Sequence, residues 1–162
     1  MYKIYKLLKK EIKVKIIIAF YKANRGKIED KLIRIWTKGP YSHVEIFVSE
    51  NGKRYTSSGR AGGVVKRDIG NQLDRKDVWD FVEIDLSHLT INDIERFYEK
   101  TKNDKYDWFA IFGFIIPLRD RTNKWICSEW CANFLKCNKY DKLEIYEPSR
   151  LSPNDLYRII KE

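Results

Sequence analysis

Residues 42–48, Ser42-His43-Val44-Glu45-Ile46-Phe47-Val48, alternate with the two-residue period of a β-strand. That period sets His43, Glu45 and Phe47 on one face and Val44, Ile46 and Val48 on the other. Asn51-Gly52 follows, a strong hairpin signal, so residues 54–58 are expected to return antiparallel. Gly59 to Gly63 predicts a second turn before a strand over Val64 to Ile69. Trp79 to Leu86 reads as a further strand with Val82, Ile84 and Leu86 on its apolar face. Upstream, residues 14–21 (VKIIIAFY) are a short, β-branched apolar run ending near Asn24-Arg25-Gly26, which predicts a buried strand.

Helical spacing surrounds these strands. Ile28, Leu32, Ile35 and Trp36 share one face of a helix that Gly39-Pro40 closes. Thr90 and Asp93 form a capping-box pattern, with Leu89 placed to staple onto Ile94; Ile91, Ile94, Phe97 and Tyr98 are that helix's inner face. Residues 106–116 predict another helix, closed by Pro117. A helix beginning at or near Cys127 runs to about Lys136, and Ser152-Pro153-Asn154-Asp155 opens a last short one. No repeat, low-complexity tract or linker interrupts the pattern. The expectation is one α+β domain over residues 14–162, a small antiparallel β-sheet packed against helices. Before it, Ile4, Leu8 and Ile12 form a stripe among Lys3, Lys6, Lys9, Lys10 and Lys13. Residues 1–13 therefore predict a basic amphipathic helix, either part of the domain or seeking a surface.

The 162 residues are 43% hydrophobic and 14% aromatic, enough for a real core. The longest apolar stretch, Trp108 to Leu118, is broken by a proline and falls short of the roughly 20 residues that span a bilayer. The lysine-dotted start lacks the pattern of a secretory signal. A soluble protein is expected, in a reducing compartment such as the cytoplasm. A net charge of +9 favours anionic partners such as an acidic polymer or a membrane surface; no nucleic-acid motif is legible, so no specific nucleic-acid partner is expected. Three cysteines cannot complete a disulfide framework, and each thiol needs its own account.

Two histidines are available. His88 sits in a turn before a helix and reads as a surface residue. His43 gains weight from Cys127 in Trp125-Ile126-Cys127-Ser128-Glu129-Trp130-Cys131. A thiol in the first turn of a helix meets the positive end of the dipole and unpaired N–H groups, which favour the thiolate. The same N–H groups can hold an oxyanion when that thiolate attacks a carbonyl. Cysteine, histidine and a group orienting the imidazole make a thiol-hydrolase constellation. Cys131 and Cys137 read as buried, inert thiols. Cys127 and Cys131 are spaced to share a metal with His43, but a fourth ligand is missing, so no metal and no cofactor is expected.

With these residues in order, the chain resembles the circularly permuted papain-like NlpC-type hydrolases, particularly YiiX-like and phage-encoded members. The matching stretches are Ile17 to Tyr21, Leu32 to Val48 (LIRIWTKGPYSHVEIFV), Tyr55 to Val64 (YTSSGRAGGV), Trp79-Asp80-Phe81, Tyr106-Asp107-Trp108, Trp125 to Cys131, and Ser152 to Leu156. Permuted members place the histidine first and the cysteine late, as His43 and Cys127 stand here. The resemblance implies a permuted papain-like fold, with nucleophilic Cys127 facing His43 and an acyl-enzyme intermediate. Relatives include enzymes that cut peptidoglycan amides and others that attack lipid acyl esters.

Many relatives carry the orienting group on the strand after the histidine strand, where Tyr55-Thr56-Ser57-Ser58 offers no acid. Ser57 and Ser58 are therefore set against Glu45, about 7 Å along the strand from His43, with the preference on the later strand. Tyr41 and Ser128 are candidates for the oxyanion or substrate; Glu129 and Asp107 read as structural hydrogen-bonders. The leading expectation is hydrolysis of an amide in a peptide or cell-wall peptide. Lipid ester hydrolysis or acyl transfer is the alternative, favoured by the aromatic segment Trp108 to Phe114 and the basic start. A non-catalytic virion or surface-binding module that keeps the fold is the third.

Overall fold

The apolar run at the start forms β1 (Ile16–Tyr21), and its neighbours explain why it has no polar face. It lies between β2 (His43–Val48) and β5 (Trp79–Ile84), antiparallel to both. Ile16, Ile18 and Phe20 enter a large core on one face, while Ala19 joins Phe47, Ile69, Val78 and Trp79 in a smaller one on the other. A strand covered on both faces loses the two-residue alternation. This computed structural model describes residues 14–22, 28–113 and 123–162. The helix expected over 1–13, the turn at Asn24-Arg25-Gly26 and the end at Pro117 lie outside the described residues.

From β2 the chain meanders through β3 (Lys53–Ser58) to β4 (Gly63–Asp68). Both turns share one construction, a short 3-10 turn closed by a glycine in the left-handed region, Gly52 at φ 65° and Gly62 at φ 79°. Two-residue strands β6 (Lys105–Tyr106) and β7 (Lys124–Trp125) extend the sheet, giving the order β5-β1-β2-β3-β4-β6-β7. The sheet is thus larger than the small antiparallel one expected, and β6 and β7 are parallel to each other. The fold is α+β, a mostly antiparallel sheet with five α-helices among the described residues.

Four of those helices are α1 (Ile28–Trp36), α2 (Ile91–Thr101), α4 (Cys127–Cys137) and α5 (Pro153–Lys161). Helix α3 (Trp108–Gly113) begins two residues later than the spacing suggested. Asp107 is the reason: its carboxylate accepts from the N–H groups of Phe109 and Ala110, the work of an N-cap. Tyr106 consequently belongs to β6. The capping boxes at Thr90/Asp93 and Ser152/Asp155 are both formed. Helix α4 packs on the Val44 and Ile46 face of the sheet through Trp130, Cys131, Phe134 and Leu135, all fully buried. Trp130 also donates from Nε1 to Thr101 Oγ1 at 3.0 Å, tying α4 to α2. No described helix is long and apolar enough to cross a membrane.

Candidate active site

Three side chains form a chain of interactions at the start of β2. Neighbouring His43 and Glu45 are two residues apart and so share a face. His43 Nε2 lies 3.1 Å from Glu45 Oε1, and Arg54 Nη1 donates to Glu45 Oε2 at 3.0 Å. A carboxylate only accepts, so Nε2 carries the proton and Nδ1 is the nitrogen left for another partner. The Cys127 thiol is near enough to the ring to act on its charge. Strand alternation puts His43 on the Phe47 face, whereas α4 packs on the Val44 face. His43 is the first residue of its strand and Cys127 the first of its helix.

Burial alone would drive the imidazole neutral. The charge and hydrogen bond of Cys127, followed by those of Glu45, outweigh it and push the His43 pKa up to about 10. Glu45 is 3% exposed. Burial works against its charge, yet His43 and Arg54 hold its carboxyl below the usual range. The arrangement favours the imidazolium form of His43 beside the Glu45 carboxylate and the Cys127 sulfur.

Several expected site residues stand elsewhere. Ser57 donates from Oγ to Trp125 O at 2.8 Å on the core face, so it cannot orient His43. Ser58 lines the cleft beside His43 with no bond to the ring. The preference for the strand after the hairpin is therefore corrected in favour of Glu45. Tyr41 does not reach toward the thiol: its hydroxyl donates to Asp80 Oδ2 at 2.7 Å, and its ring packs on Phe20 and Tyr157. Burial and the Asp80 carboxylate push that phenol strongly up. Its backbone has the local role instead. Asn154 Oδ1 accepts from Tyr41 N at 3.0 Å and Asn154 Nδ2 donates to Tyr41 O at 2.8 Å, pinning the turn that delivers His43. Gly39 permits this clamp, since a Cβ there would overlap the Asn154 side chain.

Ser128 is where the helix start and the thiol meet. Its hydroxyl is fully buried without a hydrogen-bond partner among the described residues, and it lines with Cys127 a small pocket of about 10 Å³. Ile33, Ser42 and Tyr106 line both this pocket and a cleft of about 600 Å³ beside His43. An unmade bond at such a position costs stability but leaves a donor for an oxygen arriving at the thiol. Ser128→Ala is expected to lower turnover by about 10²-fold while thermal stability holds or rises slightly. Activity unchanged beside a stability loss would assign Ser128 to packing.

Comparison with known protein families, curated proteins and solved structures finds no match to this chain. The site's assignment rests on its own chemistry.

Cys131 behaves as expected, fully buried with Sγ 3.8 Å from Val44 O; burial and the charges of Cys127 and Glu45 push its thiol up. Cys137 does not, because it is exposed at the end of α4. His88 is on the surface, 3.1 Å from Asn138 O. Asp30 and Arg54 are neighbours that the sequence pattern did not single out, and Tyr106 was read only as the start of a helix and part of a matching stretch. Asp30 accepts from Ser42 Oγ at 2.9 Å and from Arg60 at 2.7 Å, bracing the residue before His43. A cue for Tyr106 did exist, since an aspartate before an apolar run marks a helix start and leaves the preceding residue outside.

Glu129 serves α4 by accepting from the N–H of Ile126. Burial, aided by Asp107 and Glu147, nevertheless raises its carboxyl from 4.5 to about 7. A raised acid binds more protons folded than unfolded, so its contribution is fully present below pH 4.5 and is lost as pH rises through about 7. Glu129→Gln keeps the acceptor without the charge. It is expected to raise the melting temperature at pH 8 and to change it little at pH 4.5. An equal shift at both values would contradict the buried charge.

Proposed function

We propose that this chain is a thiol-dependent hydrolase that cleaves an amide, in a peptide or cell-wall peptide, within a circularly permuted papain-like fold. The observation that carries it is His43, linked to Cys127 on one side and to the buried Glu45–Arg54 pair on the other. Inert core thiols do not have an imidazolium held beside them. In this proposal Cys127 is the nucleophile, His43 the acid and base, and Glu45 the positioning residue. The order of histidine before cysteine, the helix start at Cys127 and the antiparallel sheet bearing His43 support the permuted arrangement.

The thiolate attacks the carbonyl carbon, a C–S bond forms, and the π electrons move onto oxygen. α-Helices leave their first N–H groups without intrahelical partners; those of α4, with the Ser128 hydroxyl, hold that oxyanion. Collapse breaks the C–N bond as imidazolium His43 gives its proton to the departing amine. Water, losing a proton to His43, then attacks the thioester and releases the acid and the thiolate.

Exposed Trp108 and Phe109 on α3 favour a second reading, hydrolysis or transfer of a lipid acyl ester by the same thiol. Incubating the protein with peptide, peptidoglycan and lipid libraries, then weighing it intact, separates the two by the mass of the acyl group left on Cys127. No adduct from any library would overturn both.

A further inference from the structure

The cleft beside His43 carries an imbalance of charge that its own residues do not resolve. Four arginines line it, Arg54, Arg60, Arg67 and Arg75, against two carboxylates, Asp30 and Glu45. Each carboxylate is already engaged, Glu45 by Arg54 at 3.0 Å and Asp30 by Arg60 at 2.7 Å. Arg75 has only a loose, half-exposed contact with Asp77 at 3.7 Å. Arg67 has no acidic partner among the described residues. Two of the arginines that line the cleft thus have no close acidic partner among the described residues.

Register makes the imbalance sharper. Arg54 on β3 and Arg67 on β4 are direct cross-strand partners. Like charges directly opposite one another in an antiparallel pair are destabilising. An anion seated between such groups removes the repulsion and meets the planar donor fork that suits carboxylate and phosphate oxygens. The cleft's wall supplies shape: Trp79 is held by a bond from its Nε1 to Gln72 Oε1 and packs at 5.1 Å on Tyr21, which stands opposite it on β1. At about 600 Å³ the cleft has the size of a small-ligand site rather than the long track of a strand-binding groove.

We propose that this cleft is a subsite for an anionic group, a phosphate or a carboxylate, borne by the acyl substrate and gripped by Arg67 and Arg75 with Arg54 behind them. That the group belongs to the acyl substrate rests on the hydrolase reading; that the cleft binds an anion does not. The test uses the full chain and two probes, glycerol 3-phosphate for a lipid headgroup and glutarate for an acidic peptide side chain. Calorimetric titration at low salt is expected to show saturable binding of at least one, weakened by added salt. Arg67→Gln with Arg75→Gln is expected to weaken it about tenfold or more, with Arg67→Lys between, since a charge-assisted bond is worth that much. With p-nitrophenyl esters, the ratio of kcat/KM for the glutarate half-ester over the acetate should fall in the double variant.

No saturable binding of either probe, or binding indifferent to the arginine substitutions, overturns the inference. Tighter binding of a single-stranded oligonucleotide than of both small anions overturns it too, in favour of a nucleic-acid groove. The two readings fail separately. Without the hydrolase, probe binding persists while no acyl group reaches Cys127; without the subsite, acylation persists while neither probe binds.

Discussion

Cys127→Ala is expected to abolish acyl transfer to the protein and to lower hydrolysis of an activated p-nitrophenyl ester by at least about 10³-fold. The fold should survive the loss of a single sulfur, because the His43 ring can become neutral and keep its bond to Glu45. The thiol itself can be followed by iodoacetamide labelling. Cys131 is sealed in the core and its thiol is pushed up, but Cys137 is exposed and would label whatever its role. Labelling is therefore read in a Cys137→Ser background. There Cys127 should react quickly at neutral pH, and His43→Ala should slow it on the order of tenfold, the thiolate lost being offset by the greater nucleophilicity of a more basic thiol. The pH course is specific. With the His43 pKa at about 10, the imidazolium persists throughout the neutral range, which NMR of the ring should show as one protonated form from pH 6 to 9. A raised histidine favours the folded state fully below its ordinary value of about 6.5, and that contribution is lost as pH rises through about 10. Slow labelling of Cys127, matching a model thiol at every pH, would make it structural, and the binding-module reading would take its place.

The strands that carry this site were legible because each has one constraint of its own. Residues 43–48 alternate since Phe47 and Val44 enter different cores, and the two hairpins announce themselves by glycines that must adopt positive φ. The helix at Cys127 and the cap at Ser152 were legible from local chemistry alone. What could not be seen depends on partners distant in the chain. Strands β6 and β7 have two residues each, too few for any period, and exist because Tyr106 N donates to Gly62 O and Asp107 N to Trp125 O. Cys137 looked like another buried thiol, yet α4 ends there and turns it outward. Glu45 was set behind the serines because the resemblance puts the orienting group on the later strand, and about 7 Å separates the Cα of Glu45 from that of His43 along its own. Two long side chains on one face close that gap, and a serine hydroxyl on the core face of β3 does not. Arg54 then decides the matter, by placing a cation where an isolated buried glutamate would have been neutral.

That cation also makes Glu45 the position where substitution is expected to cost the fold most. Glu45→Ala leaves the Arg54 guanidinium, 17% exposed, and the His43 imidazolium facing each other without the anion between them. Removing one member of a buried ionic chain costs about 3–5 kcal/mol, enough to unfold a marginal domain. Loss of activity in that variant alone would prove nothing about mechanism. Glu45→Gln is the informative change, since it keeps the volume and an acceptor for His43 Nε2 but removes the charge. It should fold, lose roughly 10–10² in turnover of the ester, and lower the His43 pKa, because one of the groups raising it is gone. The pH at which the His43 ring loses its proton, followed by NMR, should therefore move down from about 10, a change that a merely structural partner of Arg54 would not produce. Ser57→Ala and Ser58→Ala, making no bond to the ring, should leave that pH where it is. If Glu45→Gln keeps both turnover and the pH course while Ser58→Ala loses them, Glu45 serves only to neutralise Arg54, and the imidazole is oriented from β3.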